Sequence, residues 1–302
     1  MNDSVIPFLL ENAPVRGRIV RLDDTLHTIL SRHEYPRCVA NLLTEALVAA
    51  SMLASQLAEG GILTLQMKGS GPVPLLVADA VYGGALRGYA EIAPESRMAL
   101  EALPQASPQQ LVGEDGYLAI TLDLGGGAQR YQGVVALEGD SLAESLNSYF
   151  LNSQQLAVAF RFAHGAYEGG EGARPIAGGL MLERLADEGE KNLALTSEES
   201  DEAWRYANAV FHTLTKEELS DSALDMQALL FRLFHEQGVR AFAPTLLSVG
   251  CRCSRERIVN LLRSMDQSDR LDMIVDGEVS VHCQFCNKTE RFLPPEIGLA
   301  IH

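Results

Sequence analysis

Four of the five cysteines in this 302-residue chain fall in two close pairs near its end, Cys251-Arg252-Cys253 and Cys283-Gln284-Phe285-Cys286. Two thiol pairs that converge in space make a tetrahedral four-sulfur site, the geometry that zinc prefers. Cys251, Cys253, Cys283 and Cys286 are therefore candidate ligands of a Zn²⁺ ion. The same pairs are also placed to become two disulfides. A zinc-bound thiolate sits at about 2.3 Å from the metal, so neighbouring sulfurs lie roughly 3.8 Å apart, whereas a disulfide needs about 2.05 Å. Four sulfurs cannot meet both conditions together, so oxidation must eject the metal, and the pattern suggests a redox switch. The 29 residues between Cys253 and Cys283 exceed the usual spacing of a zinc ribbon.

The elements around the pairs are legible. Ser254 can cap a helix carrying Ile258, Leu261, Leu262 and Met265. Asp276-Gly277 predicts a two-residue hairpin joining Met273–Val275 to Val279–Val281, with Cys283 and Cys286 on its exit. A module this small has little core of its own, so loss of zinc should unfold it. Arg252, Arg255, Arg257 and Lys288 lie close enough in sequence to offset the charge of four thiolates on one dication. His282 is a spare donor beside Cys283, and Cys38 reads as a small core residue.

Upstream, residues 1–185 read as an α+β domain with antiparallel strands. Pro36 opens an apolar helix that stops before Gly60-Gly61. Ile62 to Met67, Leu118 to Leu124, Tyr131 to Leu137, Leu156 to Phe162 and Ile176 to Leu182 read as strands, with turns at Gly125-Gly126-Gly127 and along Gly165 to Gly179. Ser141-Leu142-Ala143-Glu144 is a capping-box start. Residues 186–245 read as a helical segment, with Trp204, Ala207, Val210, Phe211 and Leu214 on one face and a second helix over Met226 to Phe234. Residues 183 to 225 hold twelve Asp/Glu against four Lys/Arg, so self-repulsion lowers the stability margin of this segment. Residues 246–302 form the cysteine module.

A net charge of −16 argues against nucleic acid or an anionic membrane as the main partner. The apolar stretch from Val39 to Ala58 contains Asn41, Glu45 and Gln56, and reads as a buried helix of a soluble protein rather than a membrane span. Met1 to Ala13 has no basic segment ahead of its short apolar run, so a cytoplasmic location is expected. There, clustered cysteines serve as metal ligands or redox devices more often than as structural disulfides. Gly69-Ser70-Gly71-Pro72 lacks the Lys-Ser/Thr of a phosphate loop and reads as a turn. No H-E-x-x-H, G-x-S-x-G or kinase motif is present, and no catalytic residue is assigned.

Cys251-Arg-Cys-Ser-Arg-Glu-Arg-Ile258 together with Cys283-Gln-Phe-Cys-Asn-Lys288 resembles the redox-regulated heat-shock holdase family, heat shock protein 33. Further matches are Tyr35-Pro36, Gly69 to Pro72, Arg87-Gly88, Tyr149-Phe150 with Ser153-Gln154-Gln155, and Gly178-Gly179, so the resemblance spans nearly the whole chain. It implies a chaperone that works without ATP, quiet while Cys251, Cys253, Cys283 and Cys286 hold zinc. Under oxidants with heat or hypochlorous stress, it implies pairing of Cys251 with Cys253 and of Cys283 with Cys286. Zinc would leave and the linker would unfold; the monomer would dimerise and hold unfolded client proteins. Gln154 stands where the family usually has Glu, and Glu183 where Gln is common.

Two other classes compete with this reading. A zinc-ribbon nucleic-acid binder conflicts with the acidic charge. A thiol-disulfide oxidoreductase conflicts with the placement of CxxC after a hairpin rather than in a βαβ unit.

Overall fold

The computed structural model describes residues 3–125, 130–169, 172–185 and 196–299. Two compact units divide the chain, Met1–Val249 and Gly250–His302. Residues 186–195, where the helical segment was expected to begin, lie outside the described residues, as does part of the Gly125-Gly126-Gly127 turn.

The first unit opens with β1 (Ser4–Leu10), β2 (Val15–Leu22), α1 (Asp24–Leu30) and α2 (Arg37–Ala54). There follow β3 (Ile62–Lys68), β4 (Leu75–Val81) and β5 (Ala85–Glu91), then the short α3 (Arg97–Glu101) and α4 (Pro108–Val112). Next come β6 (Tyr117–Asp123), β7 (Tyr131–Ala136), α5 (Leu142–Gln154), β8 (Val158–Gly169) and β9 (Gly172–Arg184). Helices α6 (Ser197–Thr213), α7 (Lys216–Ser220) and α8 (Met226–Phe234) lead to three short strands, β10 (Val239–Ala241), β11 (Thr245–Leu246) and β12 (Ser248–Val249). The expected α+β class with antiparallel strands is what forms.

Two sheets carry this unit. One runs β10-β1-β2-β9-β8, with β11 also on β1; the other runs β12-β5-β4-β3-β6-β7. All pairings are antiparallel except β12 on β5. Helix α2 belongs to a core shared by both sheets: Leu43, Leu47, Val48 and Met52 are buried with Val20, Phe160 and Met181 of the first sheet and Leu65, Leu76 and Ala78 of the second. Cys38 lies in this core, as expected, and its Sγ is 3.4 Å from the Leu100 carbonyl oxygen. The apolar helix is therefore a core helix.

The first sheet is buried on its other face too. Ile6, Phe8, Leu10, Val15, Ile19, Ala159, Ala163, Leu180 and Leu182 pack against Ala207, Phe211, Leu219, Leu229, Leu230 and Phe234 of α6 to α8. Strands covered on both sides read as continuous apolar runs, which explains why Val5 to Leu10 shows no alternation. Phe8 and Phe234 stack with ring centroids 5.8 Å apart. A Cβ on Gly17 would sit 2.2 Å from the Phe8 ring, so glycine there lets the ring lie across β2. Arg21, buried in β2, donates to the carbonyl oxygens of Leu224 (2.5 Å) and Leu219 (3.4 Å), tying α7 and the turn before α8 to the sheet. Burial lowers its pKa, opposed by Asp221 and Asp225.

The charge expected to strain this segment finds partners. Thr196 and Thr215 form capping boxes with Glu199 and Glu218, Arg184 pairs with Asp201 (2.5 Å), and Arg232 pairs with Glu218 (2.8 Å).

The second unit holds α9 (Arg255–Ser264), α10 (Gln267–Asp272), β13 (Val279–His282) and β14 (Thr289–Phe292). Its core is small: Leu262, Val279, Phe292, Ile297 and Leu299. The Asp276-Gly277 turn is real, with φ of 51° and 84°, but it closes only the single bridge between Val275 and Glu278. Strand β13 pairs instead with β14, Val279 opposite Phe292 and His282 opposite Thr289. The expected hairpin is thus corrected. Helix α10 ends at Asp272 with Met273 as its C-cap, so only Ile274 and Val275 lie between the cap and the turn, too few to make a strand.

Candidate metal centre

Both cysteine pairs are positioned by local structure in the second unit. Cys251 and Cys253 immediately precede α9, and Ser254 caps it by accepting a hydrogen bond from the Arg257 N–H (3.2 Å). Cys283 and Cys286 sit in the loop between β13 and β14 rather than beyond a hairpin. That loop is a tight knuckle. The Cys283 N–H donates to the Lys288 carbonyl (2.9 Å), the Asn287 N–H donates to the Cys283 carbonyl (2.8 Å), and Asn287 takes a left-handed φ of 56°.

The four sulfurs converge. Sγ of Cys251 is 3.1 Å from that of Cys253 and 3.6 Å from that of Cys283, and Cys253 Sγ is 3.4 Å from Cys286 Sγ. All four lie within 4.8 Å of one another. A tetrahedral thiolate site has edges of roughly 3.8 Å, so the donor set and its spacing fit a soft or borderline dication. His282 is not among the converging donors; its Nδ1 is 3.1 Å from Thr289 Oγ1.

Protonation at the cluster points the same way. Burial works against ionisation of Cys251, but hydrogen bonds from the Cys253 N–H and from the thiols of Cys253, Cys283 and Cys286 outweigh it and bring its pKa to about 7. Burial, then the hydrogen-bonded Cys251, raises Cys253, and burial foremost raises Cys283. Ionisation is thus favoured at Cys251 and opposed at Cys253 and Cys283, and a bound dication is what would make thiolates stable there at neutral pH.

Two of the arginines expected to balance the cluster, Arg255 and Arg257, are otherwise engaged. Arg255 donates to Glu290 (3.1 Å) and Glu296 (2.6 Å), with its guanidinium 4.4 Å above the Phe292 ring centroid. Arg257 donates to the Arg252 carbonyl (2.9 Å). The Arg255 clamp joins the start of α9 to β14 and the turn beyond it. Its carboxylates lie more than thirty residues away in sequence and carried no local signal.

Gln154 and Glu183, the positions expected from the resemblance to differ, line one cavity of about 190 Å³ in the first unit, with Arg16, Tyr131 and Tyr149. The Glu183 carboxylate accepts from Arg16 Nε (2.8 Å), with Arg18 at 3.6 Å, while Gln154 Nε2 donates to the Tyr131 hydroxyl (2.7 Å). The acid at 183 is thus matched by two guanidinium groups, and the amide at 154 by phenols.

Fold and site together define an α+β protein that ends in a small four-thiol module. The chain belongs to the Hsp33 protein family, whose profile matches residues 3–293. It is 37% identical over 297 residues to a protein of Caulobacter vibrioides named 33 kDa chaperonin, covering 98% of this chain and 96% of that one. It is 41% identical over 287 residues to a 33 kDa chaperonin of Pseudomonas aeruginosa, covering 94% and 90%. The crystal structure of the 33 kDa chaperonin (heat shock protein 33 homologue) of Thermotoga maritima has the same fold, with a TM-score of 0.75 at 24% identity over 97% of this chain and 96% of that one.

Proposed function

We propose that this chain is an ATP-independent holdase chaperone activated by oxidation. The observation that carries the reading is the convergence of Cys251, Cys253, Cys283 and Cys286 within 4.8 Å in a unit with only a small core. Membership of a family whose relatives are named chaperonins supports the chaperone role. When bound, Zn²⁺ supplies the positive charge that holds four thiolates together as a cross-link, worth on the order of 10–16 kcal/mol of folding free energy in small modules.

The switch lies in the sulfurs. Cys251 pairs with Cys253, and Cys283 with Cys286. Each pair of thiolates gives two electrons to a peroxide or hypohalous oxidant and forms one S–S bond. Four electrons leave in all, and the thiolate charge that retained the dication is gone. The module then unfolds. Residues 186–245 act as the redox-sensitive linker between the domain of residues 1–185 and the switch domain of residues 246–302. As α6 to α8 leave the first sheet, Ile6, Phe8, Leu10, Val15, Ile19 and Leu180 become the apolar face that holds unfolded clients.

The reduced form is a monomer, the oxidised form a dimer, and both are cytoplasmic. Neither nucleic acid nor membrane is a partner, in keeping with the net charge of −16. The protein is not an enzyme.

The test is aggregation suppression of a heat-unfolded client with and without oxidant, with zinc release followed in parallel. Suppression should be stoichiometric and should appear only after oxidation and zinc loss. Full activity in the reduced, zinc-loaded protein sinks the reading, and catalytic turnover of a disulfide substrate replaces it with an oxidoreductase.

A further inference from the structure

The segment from Val239 to Val249 straps the edges of both sheets. Strand β10 lies on β1, with Phe8 opposite Ala241 and Leu10 opposite Val239. Strand β11 lies on the start of β1, with Ser4 opposite Leu246, and β12 runs along β5, with Ser248 opposite Ala85. The strap then enters Gly250 and Cys251, so it is continuous with the first sulfur ligand.

Main-chain bonds hold it. The N–H groups of Phe242, Leu247 and Ser248 donate to the carbonyls of Pro7 (2.9 Å), Asp3 (2.8 Å) and Gly84 (2.9 Å). Side chains add little: the whole run from Arg240 to Pro244 is exposed, as is Leu246, and only Leu247 is buried. The strap touches the turn between β4 and β5 at Gly84, where φ is +95° and an added Cβ would lie 2.0 Å from the Leu246 carbonyl oxygen.

Beneath the strap, β1 has the character of an edge strand. Because the Phe242 N–H reaches the Pro7 carbonyl, alternation directs the missing N–H of Pro7 toward the strap and not toward β2. The far ends of the sheets, β7 and β8, pack against α5 instead. Bared edges are templates for another extended chain. Strand addition draws its affinity from the backbone and asks little of sequence, which suits a partner that is any unfolded chain. Opposite Phe8 and Leu10 the strap offers only Ala241 and Val239, so a segment with larger apolar residues would cover more of the face that β1 shares with Ile6, Phe8 and Leu10.

We propose that the edges of β1 and β5, once the strap lets go, bind an extended segment of a non-native polypeptide by strand addition. This rests on the holdase reading and names the mode in which the client is held. The backbone of the client replaces the strap, and its alternate apolar side chains turn onto the sheet face that α6 to α8 leave.

The test is amide hydrogen exchange on the full chain, read by NMR at Val5 and Leu9, whose N–H groups face the strap, and along β5. Reduced, oxidised and oxidised client-loaded samples are compared, with reduced, carboxymethylated α-lactalbumin as the client. Aggregation suppression is assayed on the same oxidised preparation. Protection at these amides should fall by about tenfold or more on oxidation and return when the client is added. A preparation that suppresses aggregation while these amides stay protected, or stay open with client bound, overturns strand addition and leaves the holdase reading intact. Loss of suppression itself overturns the holdase reading. Protection that returns with protein concentration in the absence of client assigns the edges to a second copy and also overturns the proposal. Gly84→Val supplies a variant that loosens the strap with the cysteines untouched. Reduced and zinc-loaded, it should lose protection along β5 and bind the client where the wild type does not; a loosened strap without client binding counts against the idea.

Discussion

In the first unit, α2 alone buries Leu43, Leu47, Val48 and Met52 between two six-stranded sheets, and α6 to α8 add a second apolar layer. In the second unit five apolar side chains share the interior with two pairs of sulfurs. One unit is held by hydrocarbon, which no oxidant at physiological strength removes. The other, on the proposed function, relies on a cross-link through four thiols, the side chains most readily oxidised. Under the proposed switch, redox sensitivity would follow from the scarcity of core as much as from the presence of cysteine. Cys38 makes the point from within the first unit: burial raises its pKa, and its Sγ, 3.4 Å from the Leu100 carbonyl oxygen, is one packing contact among many in the large core.

The strongest way to break this contrast is to remove one sulfur. Cys283→Ser should abolish stoichiometric zinc binding and cost the second unit on the order of 10 kcal/mol, enough to unfold it. The melting of the first unit should hardly change. Zinc titration and two-dimensional NMR read the two units separately. A variant that keeps full zinc affinity would remove Cys283 from the ligand set, and one whose first unit melts in step with the second would dissolve the distinction.

Within the first unit the same contrast recurs between the two covers of one sheet. Helix α2 is buried on nearly every side, whereas α6 to α8 are apolar on one face only. Phe234→Ala removes the ring that stacks on Phe8 and should cost about 3–5 kcal/mol. The loss should appear as faster hydrogen exchange in α6 to α8, with α2 still protected. Uniform loss of protection through both covers would mean that they unfold as one.

Much of this was open to a reader of the sequence, and what was not has physical causes. The four sulfurs were legible because each pair is local and only the closure between pairs is long-range. The helix beginning after Pro36 was legible from its apolar length. The Asp276-Gly277 turn was legible too, but not which strand Val279 to His282 would choose, since its partner lies beyond the cysteines it brackets. The strap was invisible: β10, β11 and β12 are two or three residues long and are held through the backbone, which has no sequence signature. The Arg255 clamp was hidden for another reason, since an arginine near thiolates is as plausible as one between Glu290 and Glu296 until the chain is folded.

A smaller effect tests how firmly α2 is buried. Burial raises the Glu45 carboxyl from its ordinary 4.5 to about 7, with Lys216 opposing; His164 Nε2 lies 3.8 Å away and is itself held low by burial, Lys216 and Arg37. A carboxyl whose pKa rises on folding favours the fold while it is neutral, so its ionisation costs stability as pH climbs from about 4.5 through 7. Glu45→Gln should therefore stabilise the first unit by about 2 kcal/mol at pH 8 and by almost nothing at pH 4.5. Denaturant unfolding at the two pH values measures the difference. An equal effect at both would show that ionisation at this site is not what costs stability.

The smallest effect compares like with like. Ser141 and Ser254 each cap a helix by accepting from the N–H three residues on, at 3.3 Å from Glu144 and 3.2 Å from Arg257. Replacing either by alanine should cost about 1 kcal/mol. In the first unit that loss is spread through a large core, so Ser141→Ala should lower unfolding stability and leave zinc affinity unchanged. In the second unit the cap directly follows Cys253, and on the proposed function folding and metal binding are one equilibrium. Ser254→Ala should therefore weaken zinc retention about fivefold in a chelator competition. If both variants leave zinc affinity alone, the CxC arm is ordered without its helix, and the second unit has more structure of its own than its five buried side chains suggest.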